Sequence, residues 1–506
     1  MTAGGDTALW SGLFRLSPRS GRTLQSQIRQ TIVDAVLSGR ITPQQPLPSC
    51  RALASHLDVA RGTVVLAYQQ LVDQGLLVAR ERHGHFVNPE ALPSLPDDPR
   101  ARRASPEAPR EAERAPDWAA RLPSPLAELR VPSKPSDWLS YRYPFVYGQF
   151  DPALFPVNEW RECSRMALGV REIHDWAGDM VERDDPVLIE QLRTRLLPRR
   201  GIFARPDEIM VTLGAQNGLF LLAQLLAGPD TTVAVENPGY PDARHAFGLR
   251  AGAVVAALVD EDGLDPDGLP DGAGLVVCTP SHQCPTNASM PVVRREALLE
   301  WAARNDALLI EDDYDSQVLD AMGGEAKPLP ALKSLDTTGR VAFVGSLSKT
   351  LAPGLRLGYV VAAAPVIAEL RRLRRLVLRH APANNQRAVA IFVSLGHHDA
   401  LLRRLSQSIR DKRERLRAAL SARMPEFEQA GGVHGTSVWL RCPEGLDAGA
   451  LIERARARGV IVEPGDVFHM RGTEPARATL RLGVTAIDAR RIEDGVEALA
   501  QAVRVS

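Results

Sequence analysis

Seven short apolar runs, near residues 209–213, 231–235, 253–258, 274–279, 307–311, 341–345 and 358–363, constrain this chain's fold more than any other feature. They are apolar and β-branched at successive positions rather than at alternate ones. A strand with that pattern is covered on both faces, as in a parallel sheet sandwiched between helices. Helical stretches separate several of the runs. The pattern therefore predicts an α/β unit on a mostly parallel seven-stranded sheet.

At 506 residues the chain is too long for a single core. Composition divides it in three. Residues 12–88 read as a small helical domain with a hairpin. From 89 to 135 prolines, alanines and charges follow one another without apolar periodicity, which predicts a linker spanning about 35–40 Å as a flexible coil. Trp118 and Trp138 stand out there as residues suited to docking on a domain surface. Residues 140–506 form the large unit. Its last part begins with one long helical stretch from about Asn384 through Arg423 and ends in short strands at 437–442, 459–463 and 478–484, which predicts a smaller lobe.

One lysine of the large unit, Lys349, stands in Ser346-Leu347-Ser348-Lys349-Thr350, with Arg356 seven positions on. A lysine amine can form a Schiff base with an aldehyde, while the hydroxyls of Ser346 and Ser348 and the Arg356 guanidinium can hold a phosphate. Pyridoxal 5'-phosphate has both groups. Asp312 follows the apolar run Ala307-Leu308-Leu309-Ile310, so it falls at the carboxyl end of a strand, where α/β sheets place ligands. A carboxylate there can pair with a protonated pyridine nitrogen, and Tyr314 two residues on can hydrogen-bond the ring's phenolic oxygen. Gly214, Ala215 and Gln216 open a helix after the strand-like Ile209-Met210-Val211, and their backbone N–H groups suit a phosphate. Tyr240 follows another strand and can stack on a ring. Each residue alone also fits a structural role, such as a cap or a core ring; the combination points to the cofactor.

The strings Glu236-Asn237-Pro238-Gly239-Tyr240, Thr279-Pro280-Ser281-His282-Gln283, Glu311-Asp312-Asp313-Tyr314-Asp315-Ser316 and Ser346-Leu347-Ser348-Lys349 resemble the MocR subfamily of GntR-type transcription regulators, and residues from about 140 to 506 resemble a fold-type I aminotransferase domain. The resemblance implies that Lys349 carries the internal aldimine and that aldimine exchange there senses an amino-acid-like effector. It also implies roles at the ring nitrogen for Asp312, the phenol for Tyr314, the ring face for Tyr240 and the phosphate for Arg356. By the same resemblance Arg481, in Ala478-Thr479-Leu480-Arg481-Leu482-Gly483, grips a carboxylate, and the protein is a homodimer. Two positions depart from the pattern. Asn287 stands where glycine is usual, so asparagine must supply the special backbone geometry. Cys284 stands where many aminotransferases carry an asparagine on the cofactor phenol, which leaves Tyr314 as that donor.

In the small domain Leu24, Ile28, Ile32 and Val36 recur every four residues before a stop at Gly39. A second helix starts at Pro48 and Ser49, a break follows at 58–60, and a third helix begins at Arg61 with Val64, Tyr68 and Leu71 turned inward. Two strand-like segments then flank a turn at Glu81-Arg82-His83-Gly84. That order predicts a winged helix-turn-helix resembling the GntR family, with double-stranded promoter DNA in paired half-sites as its partner. Arg51, Arg61 and Thr63 are the expected contacts of the helices, and Arg80, Arg82 and His83 those of the wing. Residues 1–88 hold nine arginines, no lysine and five acidic residues, a net of plus four, whereas the whole chain balances 61 basic against 61 acidic residues. The positive field belongs to the small domain, and DNA binding is expected to weaken with salt.

The five cysteines show neither metal spacing nor a disulfide framework, and no signal-like segment or long apolar span occurs, which predicts a cytoplasmic protein without a membrane partner. Three functions remain open at this point. They are a regulator sensing an effector on its cofactor, a working aminotransferase that carries a DNA-binding module, and a regulator for which the cofactor itself is the signal.

Overall fold

A computed structural model of the chain describes residues 23–38, 40–80, 83–91, 116–122, 126, 129–149, 151–316, 329–475 and 477–504. The chain forms two compact units, Met1–Pro123 and Ser124–Ser506.

The first unit contains α1 (Leu24–Leu37), α2 (Cys50–Leu57), α3 (Arg61–Asp73), β1 (Leu77–Arg80) and β2 (Gly84–Val87). Local chemistry sets the helix ends. The Thr23 side chain accepts the Ser26 N–H and that of Ser49 accepts the Ala52 N–H, so both helices begin on the capping residues preferred there. α2 ends at Asp58 in left-handed geometry (φ 52°). Ile28, Ile32 and Val36 of α1 pack with Val64, Tyr68 and Leu71 of α3 in one buried core, while Leu24 at the start of the repeat is exposed. The Tyr68 hydroxyl donates to the Pro48 carbonyl at 3.0 Å, tying α3 to the lead-in of α2. β1 and β2 pair antiparallel from Leu77↔Val87 to Arg80↔Gly84, forming the expected wing. Gly39 and Arg82 lie outside the described residues, as does most of the 89–135 segment. Trp118 there is exposed rather than docked.

The large unit is built on an eight-stranded sheet. Its strands are β3 (Ile209–Thr212), β4 (Thr232–Asn237), β5 (Ala253–Asp260), β6 (Gly263–Leu264), β7 (Leu275–Cys278), β8 (Leu308–Asp313), β9 (Val341–Ser346) and β10 (Gly358–Val361). The spatial order is β3-β10-β9-β8-β7-β4-β5-β6. All seven apolar runs are strands. The eighth, β6, is a two-residue return that pairs antiparallel with β5 and is too short to leave an apolar run in the sequence. The pairs from β5 across to β9 are parallel, and β10 joins β9 and β3 antiparallel. Val344 on β9 pairs with Asp312 on β8, so the ends of these two strands open on the same side.

The smaller lobe has β11 (Glu428–Ala430), β12 (Ser437–Arg441), β13 (Glu463–Pro464) and β14 (Thr479–Gly483), ordered β11-β12-β14-β13. The helices His397–Arg423 and Ile492–Arg504 contribute Leu416, Leu420, Val496 and Leu499 to a core with Leu440 and Leu480. The single long helix expected from Asn384 to Arg423 is two helices, Ala383–Ser394 and His397–Arg423. Gly396 separates them at φ +78°, a conformation that ends a helix and that glycine adopts without penalty.

Leu71 is fully buried at the centre of the small core. Leu71→Ala is expected to cost about 2–5 kcal/mol. Calorimetry of the full chain should show a lower midpoint for the winged unit and an unmoved transition for the large one.

Candidate functional site

At the carboxyl ends of β8 and β9 lies a cavity of about 390 Å³. β8 delivers Asp312 and, just beyond it, Tyr314. β9 delivers Ser346, and the turn after it brings Ser348 and Lys349. Ala215 and Gln216 enter from the start of the helix Ala215–Leu226, Arg356 precedes β10, Tyr240 follows β4, and Arg481 comes from β14 in the smaller lobe. Gly214 borders the site with φ +79°, which side chains rarely adopt, and a Cβ there would press to 3.1 Å from Arg356 Nη2. Every residue expected to hold the cofactor or a carboxylate thus falls in or against one cavity.

The electrostatics fit a group that is cationic at one end and anionic at the other. Asp312 is buried, and its Oδ1 finds no hydrogen-bond partner among the described residues. Burial first, and then the carboxylates of Asp313, Glu236 and Asp315, push its pKa up to about 8. A protonated ring nitrogen would satisfy this oxygen and restore its charge. The buried Ser348 Oγ also lacks a partner among the described residues, and its N–H donates to Ser346 Oγ at 3.2 Å. Arg356 is exposed, with Nη2 donating to the Leu213 carbonyl at 2.9 Å; it stands beside the helix start where backbone N–H groups favour an anion. Lys349 Nζ donates to the Gly148 carbonyl at 3.3 Å and lies 4.8 Å from the Tyr147 ring centre. Burial, opposed by Asp315, lowers its ammonium to about 8, which makes the nucleophilic amine accessible near neutral pH.

Arg481 is held at Nε, at Nη1 and on its faces. Its Nε donates to Glu463 Oε2 at 2.7 Å, Nη1 lies 3.7 Å from Cys284 Sγ, and the guanidinium sits 4.0 and 4.4 Å from the centres of the Tyr147 and Phe468 rings. Glu463 and Arg481 are register partners across β13 and β14. Cys284 therefore faces this arginine, and Asn287 adopts φ 65°, the geometry its position demanded. The Tyr240 hydroxyl donates to Asp242 at 2.9 Å, which fixes the ring at the cavity wall.

Sequence reasoning missed Tyr147, Glu463, Phe468 and His282, because their roles arise from pairing across strands and loops. It also placed Pro132, Ser133 and Lys134 in the linker, whereas these residues line the cavity. Arg130, just upstream, donates from Nη1 to Glu474 at 2.7 Å and from Nη2 to Asp466 at 2.5 Å, and its carbonyl lies 2.9 Å from His245 Nε2. The strap at 129–134 is thus pinned to the loop that carries Phe468.

On the winged unit, Arg51 in the first turn of α2 and Arg61 at the start of α3 are exposed, and Thr63 is half-buried. Arg80 is exposed with its guanidinium 4.5 Å from the Phe86 ring centre, and His83 is exposed at the wing's turn. Among the described residues no helix is long and apolar enough to cross a membrane.

Fold and site define a class: a winged helix-turn-helix joined in one chain to a fold-type I aminotransferase-like domain. Residues 24–87 match the family model for bacterial regulatory proteins of the gntR family, and residues 182–499 match that for aminotransferase class I and II. The chain is 46% identical over 495 residues to the HTH-type transcriptional regulator TauR of Rhodobacter capsulatus, covering 97% of this chain and 99% of that protein. It is 28% identical over 493 residues to the probable rhizopine catabolism regulatory protein MocR of Rhizobium meliloti, covering 95% and 93%. Among solved structures it is similar to the α-aminoadipate aminotransferase LysN of Thermus thermophilus, with a TM-score of 0.68 and 27% identity over 77% of this chain and 99% of that one. The chain belongs to the MocR-like branch of the gntR family, in which the regulatory winged domain carries an aminotransferase class I and II domain. An aminotransferase fold of this class implies pyridoxal phosphate binding.

Asp312 yields a pH signature. Because its folded pKa is raised, its contribution to stability is complete below the unfolded value of about 3.8 and is lost as pH rises through about 8. Asp312→Asn should therefore raise the melting temperature of the cofactor-free protein at pH 8 and leave it nearly unchanged at pH 4, as read by thermal unfolding at the two pH values.

Proposed function

We propose that this protein is a DNA-binding transcription regulator whose large unit holds pyridoxal 5'-phosphate on Lys349 and senses an amino-acid-like effector there. When bound, the cofactor supplies an electrophilic carbon and an electron-withdrawing ring. The chain does the rest. Asp312 pairs with the ring nitrogen, Tyr240 covers the ring face, and Tyr314 meets the phenolic oxygen. The N–H groups of Gly214, Ala215 and Gln216, with Ser346, Ser348 and Arg356, take the phosphate. The effector's amine competes with Lys349 for the same attachment, and its acid group meets the guanidinium edge of Arg481 that Glu463 leaves open.

The observation that carries the regulatory reading is the strap. Pro132, Ser133 and Lys134 form cavity wall, and they end the segment that leads from the winged unit. A ligand in the cavity therefore touches the chain that leads to the DNA-binding module, and Arg130 couples that chain to the loop bearing Phe468. Homodimerisation would give paired winged domains for paired half-sites. An effector alters DNA affinity only if it binds the two conformations unequally, and a tenfold change requires about 1.4 kcal/mol of coupling. Steady turnover of an amino donor and a keto acid would instead favour the enzyme reading, and promoter affinity that follows the cofactor alone would favour the cofactor as signal.

Lys349→Ala should abolish the visible absorption of the reconstituted protein and any borohydride-reducible cofactor, while circular dichroism stays native. Arg130→Ala should retain the effector-induced absorbance change but lose most of the effector's influence on promoter affinity, compared by titrating DNA with and without effector. In the winged unit, Arg61→Ala should weaken promoter binding by about 1–3 kcal/mol if it makes a bidentate base contact. Unchanged affinity at moderate salt would remove Arg61 from the interface.

A further inference from the structure

His282 is a buried histidine beside the cavity that neither the fold nor the proposed function has explained. Its ring is 2% exposed, and its Nδ1 faces two oxygens at once: Tyr314 Oη at 3.1 Å and Asp315 Oδ1 at 2.9 Å. Its Nε2 is buried with no partner among the described residues. Glycine makes room on that side. A Cβ at Gly435, where φ is +119°, would stand 2.2 Å from Nε2.

These contacts decide where the ring hydrogen sits. A hydrogen on Nε2 would be a buried donor without an acceptor, which is costly, and it would leave a bare Nδ1 lone pair against a carboxylate oxygen. With the hydrogen on Nδ1, both problems disappear. Asp315 Oδ1 makes no aligned hydrogen bond, so its 2.9 Å approach is an electrostatic contact with the polarised N–H, and the aligned partner of Nδ1 is Tyr314. Asp315 is itself held, since Thr436 Oγ1 donates to its Oδ2 at 3.3 Å. Tyr314 Oη therefore accepts from Nδ1–H, and its own hydrogen has to point elsewhere. Tyr314 lines the cavity.

We infer that His282 is a positioning residue that commits the Tyr314 hydroxyl hydrogen to the cavity, where it donates to the phenolic oxygen of the cofactor. This rests on the cofactor reading above. Burial, with Tyr147 and Asp315 adding to it, keeps the Tyr314 phenol far above its ordinary pKa, so it remains a donor throughout the working pH range. Without His282 the hydroxyl is free to rotate towards Asp315, whose charge acts on it, and the cavity loses a fixed donor.

The experiment is a pH titration of the visible absorption band of the full-length protein reconstituted with pyridoxal 5'-phosphate. A donor to the ring oxygen weakens that oxygen's hold on the neighbouring proton, so its loss raises the pH at which the band changes. Tyr314→Phe sets the reference, with an expected rise of about one pH unit, the size of one net hydrogen bond. His282→Leu should rise by a similar amount, and His282→Leu with Tyr314→Phe should match Tyr314→Phe alone, because both remove the same bond. His282→Asn, whose amide N–H can occupy the place of Nδ1–H, should return the midpoint towards that of the natural protein, whereas His282→Gln, whose amide reaches towards Nε2, should not. This Asn and Gln pair also serves if the leucine variant does not fold. A His282→Leu midpoint equal to that of the natural protein, shifts that add in the double variant, or equal midpoints for Asn and Gln would each overturn the inference. If the natural protein shows no Lys349-dependent band, the cofactor reading fails and this inference fails with it; a normal band with an indifferent His282 removes the inference alone.

Discussion

Three consecutive carboxylates, Glu311, Asp312 and Asp313, are buried at the end of one strand, and the large unit is organised around satisfying them. Two are answered from within the chain. Glu311 accepts the N–H groups of Leu332 at 3.0 Å and Lys333 at 2.8 Å, and Asp313 pairs with the equally buried Arg200 at 2.8 Å. Arg200 in turn donates to the Leu329 carbonyl and to Ser281, drawing three segments onto the strand end. Of the three, Asp312 is the one that lines the cavity, and its Oδ1 has no hydrogen-bond partner among the described residues. An unpaired carboxyl at such depth costs stability. That unmet demand is what the ring nitrogen of the proposed cofactor would answer.

The same segments that satisfy the neighbours also build the site. Ser281, which meets Arg200, begins the turn carrying His282, Gln283 and Cys284. Gln283 donates to Glu236 at 3.1 Å, and Glu236 also accepts from the N–H of Thr279 at 2.9 Å, so the strand ends of β4 and β7 are locked together beneath the cavity. Asn287 Nδ2 then reaches Ser437 of the smaller lobe at 3.1 Å. Hydrogen bonds to buried charges thus help to fix the cavity wall.

How much of this was legible in the sequence depended on whether the determinant was local. The seven principal strands were visible because each is a continuous apolar run, and Lys349, Asp312 and Arg356 were visible because their chemistry is fixed by residue type at a strand end. The winged unit was readable from the four-residue repeat of Leu24, Ile28, Ile32 and Val36, the start signal at Ser49 and the inward face at Val64, Tyr68 and Leu71. Residues whose roles come from pairing at long range left no such mark. Glu463 meets Arg481 only because two strands run side by side, and His282 meets Tyr314 across 32 positions of chain. The break at Gly396 was missed because a lone glycine inside a helical pattern is tolerated as often as it stops one.

The strap adds an asymmetry between neighbouring stretches of one connection. Upstream of it, composition leads to the expectation of a tether, for which length would set reach and the order of residues would matter little. From Arg130 onward the same connection is a fixed component, since its ion pairs and cavity contacts assign each residue a place. Insertions among relatives should therefore be accommodated before the strap and not within it. A single extra residue between Arg130 and Ser133 would force the chain either to release its anchor or to reshape the cavity wall.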